Sequence, residues 1–351
     1  MLLFKRVLFT CLAVTSLAAN GLAGNDPIED PELLDSYPKP DTAYYKYLKE
    51  RRLECLGDLE ELKEPEKMKI HGREFFFTGS GLRLEGKDAD GIVKLGVLGA
   101  VKDFGSETRK ALKFYLDRFE KEKVDALLLL GDIAALEFEL TQVLLFCAKA
   151  EVPVLAVIGN SESRASFNRA VLAALKAAPN IINMDFVRRV DLGGAVVVSL
   201  PGYLDRRFVH QSSGCTYEKR DVRKSASLVE GVEKPIVFVS HGPPQGNGPK
   251  ALDYAVEGGN VGDPLISGFM EKHGIPFGIF SHILEAGGQA LDDQGKEVSP
   301  EKYVEKLRVN VGSANPLAWQ LNSGKLSCGM AMVFRVKNGQ ASYSLLRYPC
   351  K

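Results

Sequence analysis

Asp132, Asn160, His241 and His282 each stand just past a short apolar run. Ala126–Leu130 runs into Gly131-Asp132, and 154–158 into Gly159-Asn160. Residues 236–239 run into Ser240-His241-Gly242, and Phe277–Phe280 into Ser281-His282. A short apolar run closed by a polar or turn residue reads as a buried strand. Open α/β sheets bind ligands beyond the carboxyl ends of their strands. A carboxylate, an amide and two imidazoles delivered there form a ligand set for one divalent ion: imidazole suits zinc, iron or manganese, and oxygen donors suit manganese or magnesium. Singly, each residue has a plainer use. Asp132 is a candidate helix cap, Asn160 a turn residue, and the histidines ordinary hydrogen-bonded side chains. The set, in register at four strand ends, is what points to a metal.

The order of these motifs resembles that of the calcineurin-like metallophosphoesterases, from about residue 93 to the C-terminus. That family carries Asp-x-His, then Gly-Asp, Gly-Asn-His-Glu/Asp, a His, and Gly-His-x-His. Here Gly131-Asp132, Gly159-Asn160-Ser161-Glu162, His241 and Ser281-His282-Ile283-Leu284 follow in that order. The departures are confined to particular positions. After the predicted strand 93–98 the chain reads Gly99-Ala100-Val101-Lys102, so Ala100 and Lys102 replace the first Asp and His. Ser161 replaces the third-motif His, and Leu284 the last His. The resemblance implies that one metal half-site is erased. The other, Asp132, Asn160, His241 and His282, is complete.

Two functional readings follow. In the first, one divalent ion (Zn, Mn or Fe) activates water on Asp132 and its partners. Lys102 takes the place of the missing cation beside Asp132 or phosphate. In the two-metal chemistry the ions make a hydroxide and clamp the phosphate, so losing one implies weak phosphoesterase activity or none. In the second reading the protein is a non-catalytic relative that binds a ligand or a protein partner. Arg206, Arg207 and His210 lie in a polar loop where related enzymes place substrate contacts. They are candidates for binding a small phosphorylated substrate. The sequence names neither substrate nor metal.

The surrounding chain has 351 residues with equal numbers of acidic and basic groups, 45 each. That balance gives no support for nucleic-acid binding. Lys5-Arg6, an apolar stretch over 7–19 and Gly21-Leu22-Ala23 read as a secretory signal peptide, residues 1–23. No later segment is apolar for long enough to predict a membrane span. Export, periplasmic or extracellular, permits disulfides. Cys328 and Cys350 flank a hairpin predicted at Asn338-Gly339. Cys55 and Cys215 are the remaining pair, which nothing in the sequence brings together. Cys147, in an apolar helical stretch, reads as a buried free thiol.

The organisation expected is a lead-in over 24–90, holding one or two helices (42–66) and a strand (75–84), then a domain over 91–351. From residue 93, strands alternate with helices at 107–121, 137–150 and 163–178, which signals a parallel sheet with crossovers. A hairpin over 186–200 follows, and strands prevail after His282. The family resemblance implies an α/β fold: a four-layer αββα sandwich of two mixed sheets.

Overall fold

The computed structural model describes residue 34 and residues 37–86 and 91–350. The signal-peptide reading and residues 24–33, 35–36 and 87–90 of the lead-in lie outside the described residues.

The six-stranded sheet has the order β19-β18-β4-β5-β6-β7. Its parallel half is β4 (Ile92–Gly99), β5 (Ala126–Leu130), β6 (Val154–Val157) and β7 (Ile181–Asn183). The crossovers are α2 (Ser106–Glu122), α3 (Glu137–Ala148) and α4 (Arg164–Ala174). All five side chains of β5 are buried, as a strand covered on both faces requires. The sheet is completed by the antiparallel hairpin β18 (Met330–Lys337) and β19 (Gln340–Arg347). Asn338 and Gly339 turn it at φ 50° and 76°. Cys328 and Cys350 are disulfide-bonded beside that hairpin, their Cα atoms 5.1 Å apart.

The second sheet has nine strands, β1-β2-β3-β8-β9-β10-β13-β15-β14, with β14 (Ala290–Leu291) antiparallel at its far edge. Its centre is parallel: β9 (Val196–Leu200), β10 (Ile236–Ser240), β13 (Phe277–Phe280) and β15 (Leu307–Asn310). Strand faces alternate. Val197, Val237, Val239 and Ile279 join the large core shared with the six-stranded sheet. Val196, Val198, Leu200, Ile236 and Phe238 turn the other way, onto a second core with Val222 of α5 (Lys219–Lys224) and Ile266, Phe269 and Met270 of α6 (Pro264–Lys272). Two mixed sheets with helices outside make the expected four layers.

The N-terminal segment departs from its reading. α1 covers only Ala43–Glu50, and Glu61–Ile70 forms strand β1. The strand expected at 75–84 is a hairpin, β2 (Arg73–Gly79) and β3 (Gly81–Leu84). β3 pairs in parallel with β8 (Arg189–Asp191), so all three strands extend the nine-stranded sheet. Pro65 cannot donate to a ladder, and β1 tolerates it because it is the edge strand. Its register slips between Glu61 and Glu66. Cys55, just before β1, is disulfide-bonded to Cys215, with Cα atoms 5.2 Å apart.

Candidate metal centre

The four residues that follow β5, β6, β10 and β13 meet at one end of the sandwich. Their backbones are bent to do so. Gly131 and Asp132 have φ 67° and 51°, and His282 has φ 62°. Left-handed backbone in a non-glycine residue costs roughly 1–2 kcal/mol, so surrounding bonds must hold it. Glu162 is one such clamp. It is fully buried and accepts N–H bonds from Gly159 (2.9 Å) and from Ile133, which joins the β5 and β6 loops. Asn310 is another. Its buried amide donates to the carbonyls of Ser281 and Ile283 on either side of His282, and to Leu252, all at 3.0–3.1 Å. Gly159 permits the closest approach: a Cβ there would lie 2.4 Å from the Asp132 nitrogen.

The polar atoms converge. His241 Nε2 is 2.8 Å from Asn160 Oδ1, 3.3 Å from Asp132 Oδ1 and 3.2 Å from His282 Nδ1. Asp132, His241 and His282 each offer a ligand atom within 4.8 Å of the others. These separations match the edges of a coordination shell with bonds of about 2.0–2.2 Å, whose neighbouring donors are roughly 3 Å apart.

The donor set itself fits a cation. His241 Nδ1 lies 2.8 Å from the Leu130 carbonyl, which only accepts, so Nδ1 carries the proton. The neutral ring then turns the Nε2 lone pair inward. Asn160 Nδ2 donates to the Phe208 carbonyl at 2.6 Å, which turns Oδ1 inward as well. Electron-rich atoms in contact need a positive charge among them, either a metal ion or a proton.

The titration directions agree. Burial alone would raise Asp132, but His241 beside it holds the carboxyl well below the usual range. Burial alone would lower His241, and Asp132 outweighs it and raises the imidazole. Burial and then the charge at His241 push His282 down to about 3, with smaller contributions from His210 and Lys102. Burial and the Asp132 charge push Glu162 up to about 7.

The loop after β4 is held by bonds to its backbone. Ala100 and Lys102 have φ 44° and 73°. Ser313 Oγ donates to the Ala100 carbonyl at 2.9 Å, and Asn315 Nδ2 to the Val101 carbonyl at 2.7 Å. The Lys102 N–H donates to the Asp132 carbonyl at 2.9 Å. Its side chain is exposed and, among the described residues, makes no ion pair, so the expected contact with Asp132 runs through the backbone. Leu284 is buried and apolar.

The three loop candidates separate. Arg207 is ion-paired with Asp205 at 2.6 Å, and Arg206 donates to the Ser212 carbonyl. Neither guanidinium enters the centre. His210 does approach it, with Nδ1 3.4 Å from Ser161 Oγ. A cleft of about 310 Å³ opens alongside, lined by Tyr203, Arg207, Phe208, Tyr217, Pro243 and Asp263 among others. Tyr203 joins cleft to centre, its ring 4.6 Å from that of His282 and 6.4 Å from that of His241. Sequence reasoning assigned no role to Glu162, Tyr203 or Asn310. Only Glu162 carried a signal, its place in the third motif.

The family model of the calcineurin-like phosphoesterases matches residues 97–286. No curated protein matches the chain. One solved chain superposes with a TM-score of 0.52 at 16% identity, over 74% of this chain and 100% of its own. A dimetal phosphatase from Danio rerio gives 0.47 at 12% identity, over 73% and 99% of the two chains. TT1561 of Thermus thermophilus gives 0.47 at 14%, over 68% and 98%.

Proposed function

The chain belongs to the calcineurin-like phosphoesterase family, and from that premise we propose that it is an exported, one-metal phosphoester hydrolase of weak activity. The observation that carries this reading is the inward convergence of Asp132 Oδ1, Asn160 Oδ1, His241 Nε2 and His282 Nδ1. Those four residues would hold one divalent ion. Bound there, such an ion supplies charge for a phosphoryl oxygen and an acidified water.

The chain's own side chains do the rest. The Leu130 carbonyl fixes the His241 tautomer, and Glu162 and Asn310 fix the loops. Lys102, exposed and without an ion pair among the described residues, would stand at the erased half-site, where its ammonium would meet the side of the phosphate that a second ion would neutralise. The cleft beyond Tyr203 takes the organic part of the ester. Two disulfides support export to a periplasmic or extracellular space, where thiols are oxidised.

A second reading has its own observation. Ala100, Lys102 and Leu284 remove ligands from one half-site only, as a non-catalytic protein that binds a phosphorylated ligand or a protein partner would allow. Metal analysis of the purified protein, with an aryl phosphate turnover assay, separates the two. One equivalent of metal with metal-dependent turnover supports hydrolysis. One equivalent without turnover supports the binding protein. No metal under saturating Mn²⁺ or Zn²⁺ overturns the metal site. Lys102→Ala should leave thermal stability unchanged and weaken phosphate binding; unchanged binding removes Lys102 from the site.

A further inference from the structure

Ser161 leaves a gap in the third motif, and a residue from elsewhere in the chain faces it. Ser161 is pinned beside the centre because its N–H donates to Asp132 Oδ1 at 3.1 Å. Its hydroxyl faces His210 Nδ1 at 3.4 Å. His210 comes from the loop after β9, 49 residues further on. Its N–H donates to the carbonyl of Asn160 at 2.9 Å. The same loop is held again where Asn160 Nδ2 donates to the Phe208 carbonyl, and once more by the Cys55–Cys215 disulfide. The position of the imidazole is therefore set by the backbone of the metal-binding motif itself. Three of the chain's five histidines gather at this end of the sandwich.

We infer that His210 supplies, from outside the third motif, the phosphate-contacting imidazole that Ser161 lacks. We take Nδ1 as the acceptor of the Ser161 hydroxyl, which leaves the ring proton on Nε2. That N–H points away from Ser161, and the His210 side chain is exposed, so it is open to a phosphoryl oxygen. Ser161 thus orients the ring, and His210 makes the contact. The ligand class is a phosphate group, free or as a monoester. The inference rests on the proposed phosphoester site, but not on metal or turnover.

Inorganic phosphate is the probe, titrated into the mature protein with and without Mn²⁺ and followed by calorimetry. A hydrogen bond to a charged partner is worth roughly 1.5–3 kcal/mol, so His210→Ala should weaken phosphate by about 10- to 100-fold in both conditions. The side chain is exposed and the loop anchors are backbone groups, so the variant should fold as the parent does. Ser161→His with His210→Ala moves the ring to the motif position and should recover most of the affinity. His71→Ala, an exposed control at the turn between β1 and β2, should change nothing. Parent-like affinity in His210→Ala, no recovery in the double variant, or no phosphate binding by the parent each overturns the inference. Failure of the metal reading is seen separately, as no Mn²⁺ uptake by a parent that still binds phosphate through His210.

Discussion

Metal uptake at this centre should release one proton, and the structure says from which group. Asp132 is already ionised at pH 5, because His241 holds its carboxyl below the usual range. His282 is already neutral there, pushed down to about 3. His241 alone is raised above its ordinary value of about 6.5, because Asp132 stabilises its cation against the cost of burial. In the metal-free protein its Nε2 proton occupies the space between Asn160 Oδ1 and Asp132 Oδ1. Metal and proton therefore compete for one nitrogen. Between pH 5 and 6 the apparent Kd for Mn²⁺ should rise about tenfold per unit of acidification, or 1.36 kcal/mol. Above the His241 value it should level off. Calorimetry in two buffers of different ionisation enthalpy counts the released protons directly. A flat profile, or a hundredfold change per unit, refutes this assignment. The same shift sets a stability trend. The raised imidazole contributes stability that is full below about pH 6.5 and lost as pH climbs through its folded value. The metal-free protein should weaken on that rise, and the metal-loaded protein should not.

Further outcomes follow from the packing. Gly159→Ala puts a Cβ 2.4 Å from the Asp132 nitrogen and 2.8 Å from its Oδ1; Mn²⁺ affinity should fall at least about tenfold with one ligand displaced, while far-ultraviolet dichroism stays that of the parent. Asn310→Ala takes the amide donor from the Leu252, Ser281 and Ile283 carbonyls, of which the last two keep backbone donors, and leaves the Gly312 N–H without its side-chain acceptor; urea unfolding should show a loss of about 3 kcal/mol, with metal affinity reduced through the His282 loop. The Cys147 thiol is fully buried and pushed up to about 12; its peptide should stay unlabelled by a thiol reagent until the protein is unfolded, as a thiolate-driven reaction requires.

The strand ends of the centre were legible because β5, β6, β10 and β13 are short, wholly buried runs that stop at a polar residue. The Cys328–Cys350 pair was legible for a similarly local reason, the turn at Asn338-Gly339, and the four-layer sandwich through the family resemblance. The strands of the N-terminal segment were not. β1 reads Glu-Leu-Lys-Glu-Pro-Glu-Lys-Met-Lys-Ile, an exposed edge whose charges imitate a helix surface. The role of Asn310 could not be assigned from spacing, because its amide bonds backbone groups of loops far from it in sequence, and spacing showed Glu162 in the third motif but not its bond to Ile133, 29 residues away. Arg206 and Arg207 looked free on paper, and local pairing with Ser212 and Asp205 occupies both.

The Cys55–Cys215 disulfide spans 160 residues and ties the start of the nine-stranded sheet to the loop that presents Tyr203, Phe208 and His210. The Tyr203 N–H donates to the Cys215 carbonyl at 3.1 Å, so the tether acts close to the residue whose ring packs against His282. Reduction of that one bond should therefore loosen the wall that carries Tyr203 and His210 while leaving in place the strand ends that carry Asp132, Asn160, His241 and His282.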